Sequence, residues 1–560
     1  MMKRVSFLFL TLISLCAALC AQNNPIPLVY QPLVPASAAP GTSGFTLTVN
    51  GTGFATGAVL NWNGSARATT VLSSSSLQAA INSTDVAHIG TANVAVVNPL
   101  PGGGISNVVY FPVRQPAAAV AFAPEPGVSP LAGAAVVGDF NGDGILDLVV
   151  GQNFNNATGS LSFYRGLGNG TFAAPVTSAS TLPVFSLMSG DFNNDGKLDV
   201  VIGTFDPNKF TAEAVPFLNT GTGHFVQKDP VGGGDDGWLS GVADVNGDGN
   251  LDILFEGEAQ GQGAVEVYLG NGNGTFTYKS QANEDNYDAA PIGIGDFNGD
   301  GKLDMAVTDF DQIDIFLGNG DGTFQPFVPY SCYPCGGSIT AADLGGDSNL
   351  DLIVGELTVL LGNGDGTFTP GFAYSPSGSG FNAVGDFNGD GKLDVVTSGP
   401  SVSVYLGNGD GTFQNPTTSG SFTTGATMAV FGDFNRDGRL DVVNWGSPSD
   451  QIGLQTTLGL TPGSLDFGSI KISSTSKGQE VTLTNVSSKS LPISSIALTG
   501  ADTADFIEHN TCGAGLHARA TCTITVAFKP TVKGTLTASV SITYSGLDSP
   551  QTVTLSGYGF

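Results

Sequence analysis

The sequence predicts an all-β fold in which a seven-bladed β-propeller lies between two β-sandwiches. The first observation is an aspartate-rich motif of nine residues, which occurs seven times between Asp139 and Asp441. Successive copies begin 43 to 53 residues apart, which is the length of one supersecondary unit in a repeat protein. In addition, 80 glycines and 30 prolines among 560 residues indicate short strands separated by turns.

The length and the net charge of the chain limit the domain organisation and the partners that it can have. A chain of 560 residues is too long for a single core and divides into several domains. Its net charge of −29 argues against nucleic acid or an anionic membrane as a partner. Of the 48 acidic residues, 21 lie in the seven repeated loops, three in each. This concentration is typical of cation sites and not of an evenly spread solubilising coat.

The N-terminus has the pattern of a secretory signal peptide over residues 1–21. Lys3 and Arg4 precede an apolar run over residues 5–15, and small residues follow as far as Ala21. Cys16 and Cys20 raise the alternative of a lipoprotein, but each follows a bulky leucine, so we expect cleavage near Ala21 and a free protein outside the cell. No later apolar stretch is long enough to span a bilayer.

Four cysteines remain after cleavage, an even number for an oxidising compartment. We predict two local disulfides, one between Cys332 and Cys335 and the other between Cys512 and Cys522.

Residues 25–114 form the first predicted sandwich, since apolar and polar residues alternate over 45–49 and again over 94–96. The stretches PGTSGFTLTVNGTGF, VLNWNG and VAVVNPLPGGGISN resemble IPT/TIG immunoglobulin-like domains. A short linker over residues 115–118 leads from this domain to the repeats.

Residues 118–460 hold the repeats, and each repeat predicts four antiparallel strands. The acidic loop joins the first two strands, and a Gly/Asn turn such as GNGDGT joins the third to a fourth that begins near Phe172, Phe324 or Phe413. The seventh repeat ends after its third strand. Residues 120–124 resemble the missing fourth strand, so we expect the N-terminal segment to complete the last blade and close the ring.

Residues 461–560 predict the second sandwich, with clean alternation over residues 522–528. The phrases LTPGSLDFGSI, VTLTNVSSKSLPISSI and VTLSGYG resemble the immunoglobulin-like ASH or choice-of-anchor modules of bacterial surface proteins.

The repeated loops carry the predicted chemistry. Each has carboxylates at positions 1, 5 and 9, and most have an Asn at position 3 and a Gly at position 6. Several oxygens around one point suit a hard cation such as Ca²⁺. The residue at position 7 offers its carbonyl, and we expect the side chains of Lys197, Lys302 and Lys392 to point to water. The alternative is a polar turn held only by Asx hydrogen bonds, which a single copy would not exclude.

In their four-stranded repeats and acidic loops, residues 118–460 resemble the FG-GAP/VCBS repeat family, which is best known from integrin α-chain propellers. The resemblance implies up to seven calcium ions, each bound by the side chains at positions 1, 3, 5 and 9 and the carbonyl at 7. It implies no single activity. In the fifth copy, Gly345 and Ser348 replace the usual Asn and Gly, so we expect that loop to bind calcium poorly or not at all. The predicted ligands are Asp139, Asn141, Asp143, Ile145, Asp147; Asp191, Asn193, Asp195, Lys197, Asp199; Asp244, Asn246, Asp248, Asn250, Asp252; Asp296, Asn298, Asp300, Lys302, Asp304; Asp343, Asp347, Asp351; Asp386, Asn388, Asp390, Lys392, Asp394; and Asp433, Asn435, Asp437, Arg439, Asp441.

The rim opposite the acidic loops collects the segments that differ most among repeats. Exposed aromatic rings among acids and glycines suit sugars or a protein surface, although the same rings would also suit packing between blades. The candidate residues are Asp235, Asp236, Trp238, Tyr287, Tyr330, Tyr333, Tyr374 and Trp445.

These observations predict a secreted, monomeric, calcium-binding protein for adhesion or recognition of glycans or proteins. We expect no enzyme, because the four histidines are spread over three domains without metal-ligand spacing and no nucleophile or phosphate motif is present. The alternatives are an extracellular polysaccharide-active enzyme that uses the variable rim and a purely structural surface protein.

Overall fold

The structure, a computed structural model, describes residues 23–560 apart from 115, 118–119, 127–131, 155–157, 207–208, 210, 235–236, 260–261, 284–291, 309–311, 333–337, 356, 375–381, 398–401, 420–428, 445–450, 463, 486–489, 519 and 546–548. Within that part of the chain the fold is all-β, as the sequence predicts, with one short 3₁₀ helix at Thr503–Asp505. No helix there has the length and apolar character needed to cross a membrane. The predicted signal peptide lies outside the described residues.

The N-terminal domain is a sandwich of two antiparallel sheets. Its strands are β1 (Leu28–Val29), β2 (Phe45–Thr52), β3 (Val59–Trp62), β4 (Ser65–Ala66), β5 (Thr69–Ser73), β6 (Ser76–Ile81), β7 (Gly90–Asn98), β8 (Gly104–Ile105) and β9 (Val109–Val113). One sheet has the order β1-β2-β6-β5, while β4-β3-β7-β8 form the other and β9 also pairs with β7. Leu47, Trp62 and Phe111 fill the core between the two sheets.

The central domain contains seven antiparallel sheets, six of four strands and one of five. Its strands are β10 (Phe122–Pro126), β11 (Ala132–Gly138), β12 (Asp147–Phe154), β13 (Thr158–Tyr164), β14 (Val176–Ser180), β15 (Ser186–Gly190), β16 (Asp199–Asp206), β17 (Thr211–Asn219), β18 (Phe225–Gln227), β19 (Val231–Gly234), β20 (Gly237–Ala243), β21 (Asp252–Ala259), β22 (Gln262–Gly270), β23 (Phe276–Asn283), β24 (Gly293–Gly295), β25 (Asp304–Thr308), β26 (Gln312–Phe316), β27 (Val328–Ser331), β28 (Ile339–Ala342), β29 (Asp351–Val354), β30 (Thr358–Gly362), β31 (Phe368–Ala373), β32 (Asn382–Gly385), β33 (Asp394–Thr397), β34 (Val402–Tyr405), β35 (Thr417–Ser419), β36 (Ala429–Gly432), β37 (Asp441–Asn444) and β38 (Gln451–Gln455). β19 is an extra strand that pairs with β17 beside the second sheet.

The seven sheets form a closed ring, which is the architecture of a β-propeller. The first strand of each sheet contacts the first strand of the next, in the order β11, β15, β20, β24, β28, β32 and β36, and β36 contacts β11 again. The last sheet has the order β10-β38-β37-β36, so its outer strand comes from the N-terminal side of the ring. The predicted closure by residues 120–124 is therefore confirmed, with Phe122 opposite Gln455 in the pairing.

Phenylalanines join neighbouring blades in a repeated contact. The Phe at position 2 of an acidic loop meets the Phe that precedes or begins the fourth strand of the next blade, as in Phe140 with Phe225, whose ring centroids lie 6.0 Å apart. Phe122 of β10 has the same role against Phe387 at the ring closure. Edge-to-face pairs of this kind contribute about 0.5–1.5 kcal/mol each beyond their burial. The fourth strands near Phe172, Phe324 and Phe413 begin a few residues later than predicted, because each of these residues forms only an isolated bridge.

The C-terminal domain is the second sandwich, and it begins before the predicted boundary at residue 461. Its strands are β39 (Leu458–Thr461), β40 (Ser464–Ile470), β41 (Gln479–Asn485), β42 (Leu491–Thr499), β43 (Phe506–Asn510), β44 (Gly515–Leu516), β45 (Thr521–Phe528), β46 (Gly534–Tyr544) and β47 (Gln551–Gly559). β39 pairs with β41 and so belongs to this domain. One sheet has the order β39-β41-β45-β43 and the other β40-β47-β46-β42-β44. The predicted disulfide between Cys512 and Cys522 is present.

Candidate metal centres

The first acidic loop shows how the repeated phrase folds. The Asp139 carboxylate accepts hydrogen bonds from the backbone N–H groups of Asp143 at 3.0 Å and Gly144 at 2.8 Å. The side chains of Asn141 and Asp143 in turn accept from residues two positions further on, at 2.8 and 2.9 Å. The Asx hydrogen bonds of the polar-turn alternative are therefore present, and they hold the loop oxygens in a fixed arrangement.

The same arrangement is found in all seven loops. In the other six, the N–H groups at positions 5 and 6 donate to the position 1 carboxylate over 3.0–3.1 Å and 2.8–2.9 Å respectively. Gly144 lies at φ +79°, in the left-handed region, and the glycine at position 6 therefore permits the reversal that presents these N–H groups.

The aspartate at position 9 is the most buried part of each loop. All seven of these side chains are at most 2 % exposed. In the first loop, one carboxylate oxygen of Asp147 accepts from Phe140 N–H at 3.1 Å and the other from Gly166 N–H at 2.8 Å, just past the third strand. The equivalent bond, from an N–H group at or just past the end of the third strand, spans 2.7–2.9 Å in the other six blades. Position 9 thus ties the loop to its own sheet.

Burial makes these carboxylates costly to ionise. Burial, with the nearby negative charges of Asp143 and Asp139 as smaller causes, raises the pKa of Asp147 to about 7. Burial is also the largest cause of a raised pKa at the other position 9 aspartates. The pKa rises to about 7 for Asp199 and Asp304, to about 8 for Asp252 and to about 6 for Asp351. For Asp394 and Asp441 it rises well above the ordinary value. A cation near these groups would favour their charged form.

Basic side chains reach position 5 and leave positions 1 and 9 without an ion pair. Lys197 lies 2.7 Å from Asp195 and Lys302 lies 3.2 Å from Asp300, and both lysine side chains are 40 % exposed or more, so they point to solvent as expected and also form surface ion pairs. Arg439 pairs with position 5 of its loop in the same way, at 3.0 Å. Among the described residues, no lysine or arginine forms an ion pair with an aspartate at position 1 or 9.

The donor set of each loop fits a hard cation in its chemistry. It offers three carboxylates and a backbone carbonyl, with an amide oxygen at position 3 in every loop except the fifth, and all of these are oxygen ligands of the kind that Ca²⁺ prefers. The carboxylates are near enough to raise one another's pKa, as Asp244 and Asp248 do for Asp252. In the described part of the chain, however, no three His, Cys, Asp or Glu side chains converge as a metal-binding group. The carboxylate oxygens of the loops instead accept hydrogen bonds from backbone N–H groups, as those of Asp139 do.

The fifth loop keeps the backbone arrangement but lacks one oxygen. Ser348 at position 6 still donates its N–H to Asp343 over 2.9 Å, although its φ of +73° is unfavourable for a residue with a Cβ atom. Gly345 at position 3 has no side chain. A Cβ atom there would lie 3.9 Å from the Asp347 carboxyl carbon and 3.9 Å from an Asp351 carboxylate oxygen. The missing amide would therefore lie between those two carboxylates.

The N-terminal sandwich packs on the rim that carries the acidic loops, which the sequence did not predict. Ile26 N–H donates to the Asp244 carboxylate at 2.8 Å. Asp296 N–H donates to the Tyr30 hydroxyl at 2.9 Å, and Asp343 N–H donates to a carbonyl of the same segment. The third, fourth and fifth loops thus each contact the first residues of the sandwich.

Arg114 connects the sandwich to the sixth loop and to the ring closure. It is 5 % exposed, and its guanidinium donates to the Phe387 carbonyl and, at 2.7 Å, to the Gln455 side chain. Burial lowers the Arg114 pKa to about 10, and the charge of Asp386 opposes that shift. The same guanidinium charge limits the rise in the pKa of Asp386, which burial brings to about 6. No sequence pattern indicates this role.

The variable rim is described only in part. Trp238 is 47 % exposed and meets Phe185 edge to face at 5.9 Å. Tyr330 packs against Phe368 of the next blade, and Tyr374 packs against Tyr405 and Phe413 of the next blade, so these two follow the alternative of packing between blades. Cys332 is disulfide-bonded. The remaining predicted residues of this rim, Asp235, Asp236, Tyr287, Tyr333 and Trp445, lie outside the described residues together with Cys335.

Comparison with protein families identifies the repeated unit. Five stretches match the model of the FG-GAP-like repeat, at residues 139–202, 258–307, 296–354, 355–397 and 386–443. The central domain carries FG-GAP-like repeats. The C-terminal domain matches a different family, Cep192 domain 4, over residues 455–560. No curated protein matches the chain.

Several solved structures are distantly similar to the FG-GAP-like ring and its neighbours. An auxiliary nutrient binding protein from Bacteroides ovatus is 11 % identical with a TM-score of 0.29, over 77 % of this chain and 98 % of that one. The Dos1 propeller is 7 % identical with a TM-score of 0.34, over 77 % and 93 %. The ASH/PapD-like domain of human CEP192 is 16 % identical with a TM-score of 0.15, over 19 % and 86 %. Likeness at this level carries no inference about ligands.

Proposed function

We propose that the chain is a secreted, calcium-stabilised FG-GAP propeller that recognises glycans or proteins outside the cell without turning them over. The observation that carries the calcium assignment is the burial of seven position 9 aspartates, none of them in an ion pair with a basic side chain among the described residues. A buried carboxylate without a compensating charge is costly. A divalent cation in each loop would offset that cost.

The predicted ligand sets are the residues that would hold the ion. In the sixth loop these are the side chains of Asp386, Asn388, Asp390 and Asp394, with the carbonyl of Lys392. Bound calcium would neutralise the repulsion among the three carboxylates and so hold the ring together. We extend the FG-GAP assignment to all seven sheets, since the third loop has the same hydrogen bonds as the loops that match the family.

The flanking sandwiches are proposed as immunoglobulin-like modules, an IPT/TIG-like domain over residues 25–114 and an ASH-like domain at the C-terminus. Two packed β-sheets around one core support this assignment in each case, with all strands antiparallel in the N-terminal domain and with one parallel pair, β40 and β47, in the C-terminal domain. The disulfide between Cys512 and Cys522 supports an oxidising compartment, and so supports secretion.

The recognition role rests on the rim opposite the acidic loops. The N-terminal sandwich already occupies much of the acidic rim. At the opposite end of the third blade, β20 begins beside Trp238 and runs toward the acidic loop, and this ring is half exposed. A large exposed aromatic ring beside a variable segment suits the face of a sugar or a protein anchor.

A binding screen against extracellular glycans, combined with an assay for reducing ends, tests this proposal. We expect binding without release of reducing ends, and we expect Trp238→Ala to weaken it at least about tenfold, as loss of a hot-spot aromatic does. Tyr278, which is 49 % exposed on an outer strand, provides a matched control, and Tyr278→Ala should leave binding unchanged. Release of reducing ends would support the polysaccharide-active enzyme instead. Absence of both binding and turnover would support a structural role.

A further inference from the structure

The seven acidic loops differ in how far the N-terminal sandwich covers them. In the third, sixth and seventh loops, the position 1 aspartates Asp244, Asp386 and Asp433 are 6 to 8 % exposed. In the first and second loops, Asp139 and Asp191 are only partly buried. The difference comes from the sandwich, since the hydrogen bonds within the loops are the same.

The glycines of the loops show how close the sandwich lies. A Cβ atom on Gly249 in the third loop would lie 2.6 Å from the Asn24 carbonyl oxygen. A Cβ atom on Gly438 in the seventh loop would lie 2.8 Å from Gly90 N and 2.9 Å from a methyl carbon of Ile89. Main-chain atoms of the sandwich therefore rest directly on these two loops, with no room for a water layer between them.

The sixth loop is covered by the segment that leaves the sandwich. A Cβ atom on Gly389 would lie 2.5 Å from Arg114 Nε, and Ser37 donates its hydroxyl to the Gly389 carbonyl at 3.1 Å. Asn388, the predicted amide ligand of this loop, is 2 % exposed. By contrast, a Cβ atom on Gly144 of the first loop or Gly196 of the second would have no neighbour within 4 Å.

We propose that the N-terminal sandwich is a lid over the metal loops, which divides the calcium ions into an open class and a trapped class. This inference rests on the calcium binding proposed above. The first, second and fourth loops, whose position 1 aspartates Asp139, Asp191 and Asp296 are only partly buried, exchange calcium directly with solvent. The third, sixth and seventh exchange it only when the sandwich lifts from the rim, because a leaving ion needs water molecules to replace its protein ligands. Such an opening is a subglobal unfolding event, and it slows release.

Calcium release into an excess of a fluorescent chelator, followed by stopped flow, tests the lid on the full chain. We expect two phases, with about three ions released at least tenfold more slowly than the rest, as an opening step of about 1.4 kcal/mol or more would require. A single phase for all bound ions would overturn the inference. If equilibrium dialysis shows no bound calcium at all, the proposed function fails instead, and the two failures are thereby distinguished.

A charge placed at the edge of the lid provides the second test. Ile89 is 50 % exposed and lies against the seventh loop, so its replacement does not disturb a core. Ile89→Glu places a carboxylate beside Asp433 and Asp437 and should lift the lid by charge repulsion. The rate constant of the slow release phase should then rise about tenfold. In Ile89→Gln the new side chain has nearly the size of glutamate but no charge. The slow rate constant of this variant should stay within about twofold of that of the original chain. Equal effects of the two variants, or no effect of either, would contradict the lid.

Discussion

The buried aspartates predict that the calcium-free protein loses stability as the pH rises from about 5 to about 7. Burial raises the pKa of Asp147, Asp199 and Asp304 to about 7 in the folded chain. In the unfolded chain the same carboxyls titrate near their ordinary value of about 4. Between the two values the folded state holds protons that the unfolded state has released. This contribution to stability is complete below about pH 4 and is lost as the pH rises through about 7.

The size of the effect follows from proton linkage. One group that is protonated only in the folded state changes the unfolding free energy by about −1.4 kcal/mol per pH unit. Asp147, Asp199 and Asp304 together contribute up to a limit of about −4 kcal/mol per pH unit, and Asp252, whose pKa burial raises to about 8, acts in the same direction. Solvent screening around the outer carboxylates and coupling among the loops reduce the value, and we expect about half of that limit.

Urea unfolding in excess chelator, measured from about pH 5 to about pH 7, tests this slope. Saturating calcium should flatten it, because the ion stabilises the charged carboxylates. Asp199→Asn removes one titrating group and should make the slope shallower. Asp410 is a suitable control, since it is an exposed aspartate whose pKa is lowered by the Thr412 hydroxyl, and Asp410→Asn should leave the slope unchanged. A chelated protein whose stability is constant or rises over this interval would refute the reasoning.

Three further predictions concern single features. Arg114→Met leaves the buried Gln455 side-chain oxygen without its donor, takes one of two donors from the Phe387 carbonyl and removes a charge beside an acidic loop, so urea unfolding should show a loss of about 3 kcal/mol, whereas Arg114→Lys should lose less. Gly345→Asn restores the missing oxygen of the fifth loop and should raise the bound calcium by one ion per chain in equilibrium dialysis. Joint replacement of Cys512 and Cys522 by serine removes a disulfide between residues 10 positions apart. The unfolding free energy of the C-terminal sandwich, measured by thermal unfolding, should fall by about 2–3 kcal/mol.

The repeated features could be predicted from the sequence because their physics is local. Each acidic phrase specifies its own turn, and the alternating residues on either side specify the strands that leave it. The closure by Phe122 was predictable for the same reason, since that segment repeats the pattern of a fourth strand. The contact between phenylalanines of neighbouring blades was missed. Its signal was present, as a Phe recurs both at position 2 and after the Gly/Asn turn.

The placement of the N-terminal sandwich could not be predicted in this way. It depends on residues that occur once, such as Ile26, Tyr30 and Arg114, and no period or motif marks them. All three contacts use a backbone N–H group or a backbone carbonyl on one side, and nearly every residue type offers these groups. The pairing of Lys197 with Asp195 was missed for a different reason, since position 7 was interpreted only as a source of a carbonyl ligand.

Thermal unfolding with and without calcium tests the central claim most directly, because the claim is that divalent ions in the acidic loops hold the ring together. The account predicts that removal of calcium by EDTA lowers the melting temperature by at least about 5 °C, and that added calcium restores it. Equilibrium dialysis on the same samples should find about six ions per chain, since the fifth loop lacks the position 3 oxygen. A melting temperature that EDTA leaves unchanged, with no calcium bound, would contradict the account.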